Sequence, residues 1–210
     1  LREVTRGAGA MLVFDEVITG FGRTGEKFGA DHWGVVPDIM TMAKGITSGY
    51  QPLGATAVRP HVYDAFLGGD DEHREFAQVV TYGGHPVCCA AGVANLEILT
   101  RERLWENSAT VGAYLQGQLK ALDSPRVGDV RGKGLMIAVE LVGDDGAPLD
   151  KATMDRAHAT IVDAGVLVGR MSHVLPGPES IFYLSPPLII TEADADRIVD
   201  AMAKALAAIA

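Results

Sequence analysis

Apolar residues run almost without interruption through two short segments near the start of the chain. The first, "AMLVFDE" at residues 10–16, ends on two acids, and the second, "IMTMA" at residues 39–43, is followed by a lysine. A continuous apolar run of this length is typical of a parallel strand that is buried on both faces. A third short strand is predicted near residues 54–58, after a loop rich in glycine and proline. The pattern therefore predicts strands of an α/β sheet.

The middle of the chain changes to helical patterns. Residues 86–99 begin at a proline and are rich in Ala, Val, Cys and Leu with few charges, which predicts a buried helix. A second helix is predicted over residues 101–122, because apolar residues recur there at helical spacing. These residues are Leu104, Val111, Leu115 and Leu119.

The segment after Pro125 has shorter elements. "VGDVRGKGLMIAVELV" predicts two short strands around a glycine-rich turn, and a helix is predicted near residues 152–164. Strands at "GVLVGR" and "SIFYLS" follow, and a last helix begins at Glu192. This order predicts a small α+β domain. We place the domain boundary inside the second long helix, which divides the chain into residues 1–105 and 106–210.

Composition limits the possible functions. The chain has 210 residues, a net charge of −9 and 48% hydrophobic residues, which is enough for at least one folded domain. The negative charge argues against a nucleic-acid surface. We find neither an uncharged apolar stretch of about 18 residues nor a signal peptide, so we expect a cytoplasmic protein that does not bind membranes. The six histidines lack the spacing of metal ligands, so no metal site is predicted.

The segment "GFGRTG", residues 20–25, matches the dinucleotide pattern G-x-G-x-x-G and follows a predicted strand. A dinucleotide site also needs a helix that opens within the motif, and the next residues contain Gly29, Gly34 and Pro37. We therefore reject NAD binding and interpret the segment as a structural turn. Arg23 within it is interpreted as structural too.

Asp15 and Lys44 each lie at the end of an apolar strand. Ligands of parallel sheets bind outside the carboxyl ends of the strands, so these two side chains are expected to project into one cleft. Their position alone favours a simpler interpretation, namely a buried salt bridge or two unrelated solvated ends.

The sequence around these two residues resembles a known family. "LVFDEVITGFGRTGEKFGADHWGVVPDIMTMAKGITSGYQPLGA" is similar to the signature region of the class III, pyridoxal-phosphate-dependent aminotransferases, which include the ω-amino acid transaminases. The similarity continues, in the family's order, through "TYGGHPVCCAA", "LWEN", "VGDVRGKGLMIAVEL" and "SPPLIITEADADRIV". It implies fold type I, with residues 1–105 in the large, mostly parallel-sheet domain and residues 106–210 in a small C-terminal α+β domain.

The resemblance implies roles for three residues near the strand ends. Lys44 corresponds to the lysine that bonds to pyridoxal phosphate and then moves a proton between the substrate carbon and the cofactor. Asp15 corresponds to the carboxylate that keeps the pyridine nitrogen protonated. Val17 corresponds to the apolar side chain that packs on one face of the ring. Glu16 receives no role.

Two further residues have implied roles. Thr81 corresponds to a threonine that reaches the cofactor phosphate of the other subunit, which implies a homodimer with shared active sites. Gly83 stands where the family usually has serine. Arg170 falls where many ω-transaminases bind the substrate carboxylate, but the stretch 171–185 is longer than expected. A surface arginine at a strand end is the alternative for Arg170.

The expected function is transfer of an amino group from an amine or an ω- or α-amino acid to a keto acid by a ping-pong mechanism. Pyruvate and 2-oxoglutarate are the expected acceptors. Alternatives are an aminomutase, racemase or decarboxylase of the same fold, or an inactive half that needs a companion chain. The chain opens on Leu1 without the family's glycine and serine phosphate cup, so we expect it to be the C-terminal half of a longer enzyme.

Overall fold

The computed structural model describes residues 1–69, 71–170 and 180–210. They form two compact units. The first unit contains Leu1–Phe21 and Lys27–Arg103, and the second contains Gly22–Glu26 and Leu104–Ala210. Most of the stretch 171–185 singled out above lies outside the described residues. None of the described helices is long and apolar enough to cross a membrane.

The first unit contains a three-stranded sheet and three helices. Its strands are β1 (Val13–Asp15), β2 (Ile39–Met42) and β3 (Ala55–Val58). Its helices are α1 (Arg2–Gly7), α2 (Pro60–Asp64) and α3 (Pro86–Arg101), with short 3₁₀ helices at Gly29–Trp33 and Lys44–Ile46. β1 pairs with β2 in parallel, and β2 pairs with β3 antiparallel. The described sheet is therefore mixed, with one parallel and one antiparallel pairing.

The burial of these strands differs from the prediction. Val13 in β1 is 53% exposed, all of β3 is exposed and β2 is half-buried throughout. The strands of this sheet make their extensive contacts with one another, and no described helix packs extensively on them. The prediction that the strands are buried on both faces is therefore wrong for the part of the chain that the structure describes.

Helix α3 begins where its proline predicts. Pro86 occupies the first turn, where its missing N–H and fixed φ suit the start of a helix. The buried residues of α3 include Cys88, Gly92 and Leu99. The helix contacts the 3₁₀ helix Lys44–Ile46. Through this contact, α3 supports the backbone that follows β2.

The second unit combines three long helices with an antiparallel sheet. The helices are α4 (Leu104–Lys120), α5 (Lys151–Asp163) and α6 (Glu192–Ala208). The strands are β4 (Val127–Lys133), β5 (Met136–Leu141), β6 (Gly169–Arg170) and β7 (Ile181–Leu184), in the sheet order β4-β5-β7-β6. α6 packs against α4 and α5. Val111, Leu115 and Leu119 of α4 are buried, as their helical spacing predicts.

Two glycine-rich segments, "GFGRTG" and the turn at Gly134 between β4 and β5, contact each other in the second unit. A Cβ at Gly134 would lie only 2.4 Å from the carbonyl carbon of Thr24, so only glycine fits this approach. Arg23 donates from Nη1 to the carbonyl oxygens of Leu135, at 3.1 Å, and Pro186, at 2.6 Å. Burial lowers the pKa of the Arg23 guanidinium. The motifs serve here as packed turns, and Arg23 is a structural residue.

Candidate cofactor site

Asp15 and Lys44 lie at the carboxyl ends of two neighbouring parallel strands of the first unit. Asp15 is the last residue of β1 and lies opposite Thr41 of β2. The N–H of Glu16 donates to the Thr41 carbonyl at 2.9 Å, which continues the pairing to the end of β1. Lys44 begins the turn just beyond β2. Because the strands run in the same direction, Asp15 and Lys44 lie at one edge of the sheet, and both are exposed.

The Asp15 carboxylate is oriented by the chain that follows it. Its Oδ1 accepts a hydrogen bond of 2.9 Å from the N–H of Val17. Such a bond from the residue two positions on is characteristic of an Asp at the start of a turn. Val17, two residues after Asp15, is half-buried. The result is an acceptor group and an apolar side chain at the end of β1.

Lys44 has an unusual backbone conformation. Its φ is +44°, in the left-handed region that disfavours residues with a Cβ. Ala43, which precedes it, is fully extended, so the chain turns sharply at the lysine. Residues held in such conformations persist only when their surroundings support them, and they cluster at functional sites. The backbone conformation of Lys44 therefore indicates a functional position, independently of the charge of its side chain.

Glu16 is a buried carboxylate that sequence analysis left without a role. It is only 2% exposed. It accepts hydrogen bonds from the N–H groups of Gly29, at 2.9 Å, and Ala30, at 2.7 Å, and from the Thr19 hydroxyl at 2.5 Å. Strand alternation turns Glu16 to the face opposite Asp15, and this alternation is the signal in the sequence that could have indicated it. Glu16 fixes the loop that follows Asp15 and Val17.

Thr81 lies in a turn that precedes α3. The turn closes with a hydrogen bond of 2.8 Å from the Gly83 N–H to the Val80 carbonyl, and Thr81 is exposed. The Gly83 N–H is therefore used within the turn. An exposed threonine is accessible to a group from another molecule, and the contact with a second subunit stays a prediction.

Arg170 lies in β6 of the second unit and is held by an ion pair. Its Nη1 donates to Asp155 of α5 at 2.5 Å, and its side chain is 22% exposed. Asp155 also accepts a hydrogen bond of 2.6 Å from Lys151. The bonds from Lys151 and Arg170 lower the pKa of Asp155. A substrate carboxylate would have to compete with Asp155 for Arg170, whose substrate role stays a prediction.

Metal ligands do not cluster in the described ranges. Among residues 1–69, 71–170 and 180–210, no group of three or more His, Cys, Asp and Glu side chains could hold a metal ion. The charged groups at the strand edge are instead one amine and one carboxylate.

Comparisons with known proteins give a consistent result. A family model described as "Aminotransferase class-III" matches residues 1–206. An uncharacterized aminotransferase, YhxA of Bacillus subtilis, is 45% identical over 202 residues, which cover 95% of this chain and 45% of that protein. A taurine–pyruvate aminotransferase of Bilophila wadsworthia is 40% identical over 210 residues, covering 98% of this chain and 46% of the relative.

The fold is also found among solved structures. The crystal structure of an amine transaminase from an uncultivated Pseudomonas species, described as PLP-bound, superimposes with a TM-score of 0.91 at 43% identity. The similarity covers 100% of this chain and 47% of that one. The chain therefore spans about half the length of the relatives that it matches, since it covers 45% and 46% of the two curated proteins.

Proposed function

The chain belongs to the class III aminotransferases, a family that depends on pyridoxal phosphate, and we propose that the protein containing it transfers amino groups to a keto acid. The observation that carries this proposal is the position of Asp15 and Lys44. They lie at the carboxyl ends of two paired parallel strands, the edge at which parallel sheets bind ligands.

The residues at this edge fit the cofactor. Pyridoxal phosphate, when bound, supplies an electron sink for the charge that develops on the substrate carbon. Lys44 would hold the cofactor through its side-chain amine and, with that amine free, would take the proton from the substrate carbon. The Asp15 carboxylate accepts the hydrogen bond of a protonated ring nitrogen and so favours that form. Val17 would supply an apolar side chain for one face of the ring.

The proposal includes the rest of the site. Residues 1–105 form the C-terminal part of the large cofactor-binding domain, and residues 106–210 form the small C-terminal α+β domain. The protein is a cytoplasmic homodimer in which Thr81 binds the cofactor phosphate of the other subunit. Arg170 binds the carboxylate of the substrate. The fold is that of fold type I enzymes.

The substrates are an amine or amino acid as donor and pyruvate or 2-oxoglutarate as acceptor, used in a ping-pong mechanism. The name of the Bilophila relative supports pyruvate. A panel of donors, each assayed with both keto acids, identifies the pair. Turnover of a donor in the absence of any keto acid would instead indicate an aminomutase, a racemase or a decarboxylase.

Replacement of Lys44 tests the proposal. The protein that contains this chain is loaded with pyridoxal phosphate, reduced with borohydride and digested, and the cofactor mass is sought on the Lys44 peptide. Lys44→Ala should remove the trapped cofactor and its visible absorbance, and should lower transfer activity by about three orders of magnitude or more. Lys120→Ala, at an exposed lysine of α4, is the matched control.

An unchanged visible spectrum in Lys44→Ala would overturn the proposal. Failure of the unmodified protein to bind pyridoxal phosphate would favour the other alternative, an inactive half that needs a companion chain.

A further inference from the structure

The side chain of Asn95 connects helix α3 to the turn that begins at Lys44. Its Nδ2 donates to the carbonyl oxygens of Gly45, at 2.8 Å, and Ile46, at 3.2 Å. Its Oδ1 accepts a hydrogen bond of 2.7 Å from the Ser48 hydroxyl. A single half-buried amide therefore holds both the first residues after Lys44 and the residue at which the turn ends.

The turn's own hydrogen bonds include one of ordinary length, from the Ile46 N–H to the Ala43 carbonyl at 3.1 Å, and two long ones. The bond from the Thr47 N–H to the Lys44 carbonyl is 3.3 Å long, and the bond from the Ser48 N–H to the Gly45 carbonyl is 3.4 Å. Bonds of 3₁₀ type have poor geometry in general. Lys44 and Ser48 also have φ values of +44° and +50°, which are unfavourable for side chains with a Cβ. The turn therefore depends on support from outside itself.

Close packing on two sides leaves the turn little freedom. On the α3 side, a Cβ at Gly92 would meet a Leu53 methyl group at 3.0 Å and the Ile46 carbonyl oxygen at 3.7 Å. Gly92 lies one helical turn before Asn95 and so shares its face of α3. On the other side, a Cβ at Gly45 would meet the Phe21 side chain at 3.0 Å. Asn95 supplies the directional bonds within this packing.

We propose that Asn95 is a positioning residue for Lys44. Its three hydrogen bonds keep the unfavourable turn in one conformation, and so hold the Lys44 amine at the edge of the sheet where β1 ends with Asp15. This inference rests on the proposed function, in which the Lys44 amine bonds to pyridoxal phosphate. Asn95 bonds to the backbone after Lys44, and its role is exerted through that residue.

The substitution Asn95→Asp isolates the two amide donations. It preserves the size of the side chain and an oxygen that can accept from Ser48, but it removes the N–H groups that bind Gly45 and Ile46. In the protein containing this chain, we expect the apparent affinity for pyridoxal phosphate to fall about tenfold, the effect of losing two hydrogen bonds. The pH at which the lysine-bound cofactor changes its visible absorbance should shift, and less cofactor should be trapped on Lys44 by borohydride.

Asn107 offers a matched control in the second unit. It is a half-buried asparagine of α4 whose Nδ2 donates to the carbonyl oxygens of Leu188, at 2.6 Å, and Ile190, at 3.0 Å. Asn107→Asp likewise removes two hydrogen bonds from a side-chain amide to backbone carbonyls, but at a position away from Lys44. It should lower the melting temperature to a similar extent, with cofactor affinity and the absorbance titration unchanged.

Each outcome decides the inference. It is overturned if Asn95→Asp keeps the cofactor affinity and absorbance titration of the unmodified protein, or if Asn107→Asp changes them equally. Asn95→Ala, which introduces no charge, replaces Asn95→Asp if circular dichroism shows that the latter is unfolded. If unmodified protein traps no cofactor on Lys44, the proposed function fails, and the positioning role fails with it. If the unmodified protein traps cofactor on Lys44 and the Asn95 variants bind and trap it equally well, the positioning role fails and the proposed function stands.

Discussion

The carboxylate of Glu16 accepts a hydrogen bond of 2.7 Å from the backbone N–H of Ala30, which lies 14 residues further along the chain. A second backbone donor, the N–H of Gly29, binds the same carboxylate. The bonds join the end of β1 to the 3₁₀ helix Gly29–Trp33. Buried N–H groups need such acceptors, because an unsatisfied buried donor is costly.

Replacement of Glu16 is expected to destabilise the first unit. Glu16→Ala leaves the N–H groups of Gly29 and Ala30 without their acceptor, which should lower the free energy of unfolding by about 2–4 kcal/mol. Glu16→Gln retains one acceptor oxygen and should cost less. Urea unfolding of the protein measures both changes. Glu97→Ala, at an exposed position of α3, should change stability by less than about 0.5 kcal/mol. Equal stabilities for Glu16→Ala and Glu97→Ala would contradict the prediction.

Asp38 holds the other edge of the same sheet. Its Oδ2 accepts hydrogen bonds of 2.8 Å from the Leu12 N–H and from Nη1 of Arg2. Its Oδ1 lies 3.5 Å from Nε2 of His61. The bond from Leu12, followed by the bond and charge of Arg2, lowers the pKa of Asp38. The carboxylate thus ties α1 and the start of β1 to the start of β2.

The stabilisation by Asp38 is therefore expected to depend on pH. A lowered pKa in the folded chain means that the contribution is complete above the ordinary value of about 3.9 and is lost as pH falls through the folded pKa. The difference in unfolding free energy between the unmodified protein and Asp38→Asn should be fully present at about pH 5 and should shrink below about pH 4. Asp123→Asn, at an exposed residue, serves as the control. A difference that grows as pH falls from about 5 to 3 would refute this prediction.

Two glycines of α4 are expected to respond oppositely to alanine. A Cβ at Gly112 would lie 2.2 Å from the carbonyl oxygen of Gly134, whereas a Cβ at Gly117 would meet nothing within 4 Å. Gly112→Ala should therefore destabilise the second unit by about 3 kcal/mol or more through overpacking. Gly117→Ala should stabilise it by about 0.5–1 kcal/mol, since alanine is the better helix former. Thermal unfolding of both variants tests this contrast, and a Gly112→Ala variant as stable as Gly117→Ala would show the approach of α4 to the Gly134 turn to be adaptable.

Arg170 is expected to distinguish substrates by their carboxylate. If it binds that group, Arg170→Ala should raise KM for a carboxylate-bearing donor by about tenfold or more, as the loss of a hydrogen bond to a charged group does. KM for a simple amine donor should change little. Steady-state kinetics with both donors and one keto acid give the comparison. Equal changes for the two donors would assign Arg170 to the ion pair with Asp155 alone.

Local patterns in the sequence determined much of this protein. Pro86 marked the start of α3, and the spacing of Val111, Leu115 and Leu119 identified the buried face of α4, because helical periodicity and the demands of a first turn act within a few residues. The acids and the lysine that end two apolar runs likewise placed Asp15 and Lys44 at strand ends. The direction of parallel strands then placed both at one edge of the sheet.

Tertiary structure alone decided how these elements are supported. The antiparallel pairing of β3 and the bonds of Glu16 and Asn95 all depend on residues distant in the sequence. Alternation along β1 can indicate that Glu16 is buried, but not that its partners are the N–H groups of Gly29 and Ala30. An asparagine on a helix likewise gives no sign of the turn that it will contact. The left-handed backbone at Lys44 has the same origin, because the surrounding contacts outweigh a local preference that would otherwise exclude it.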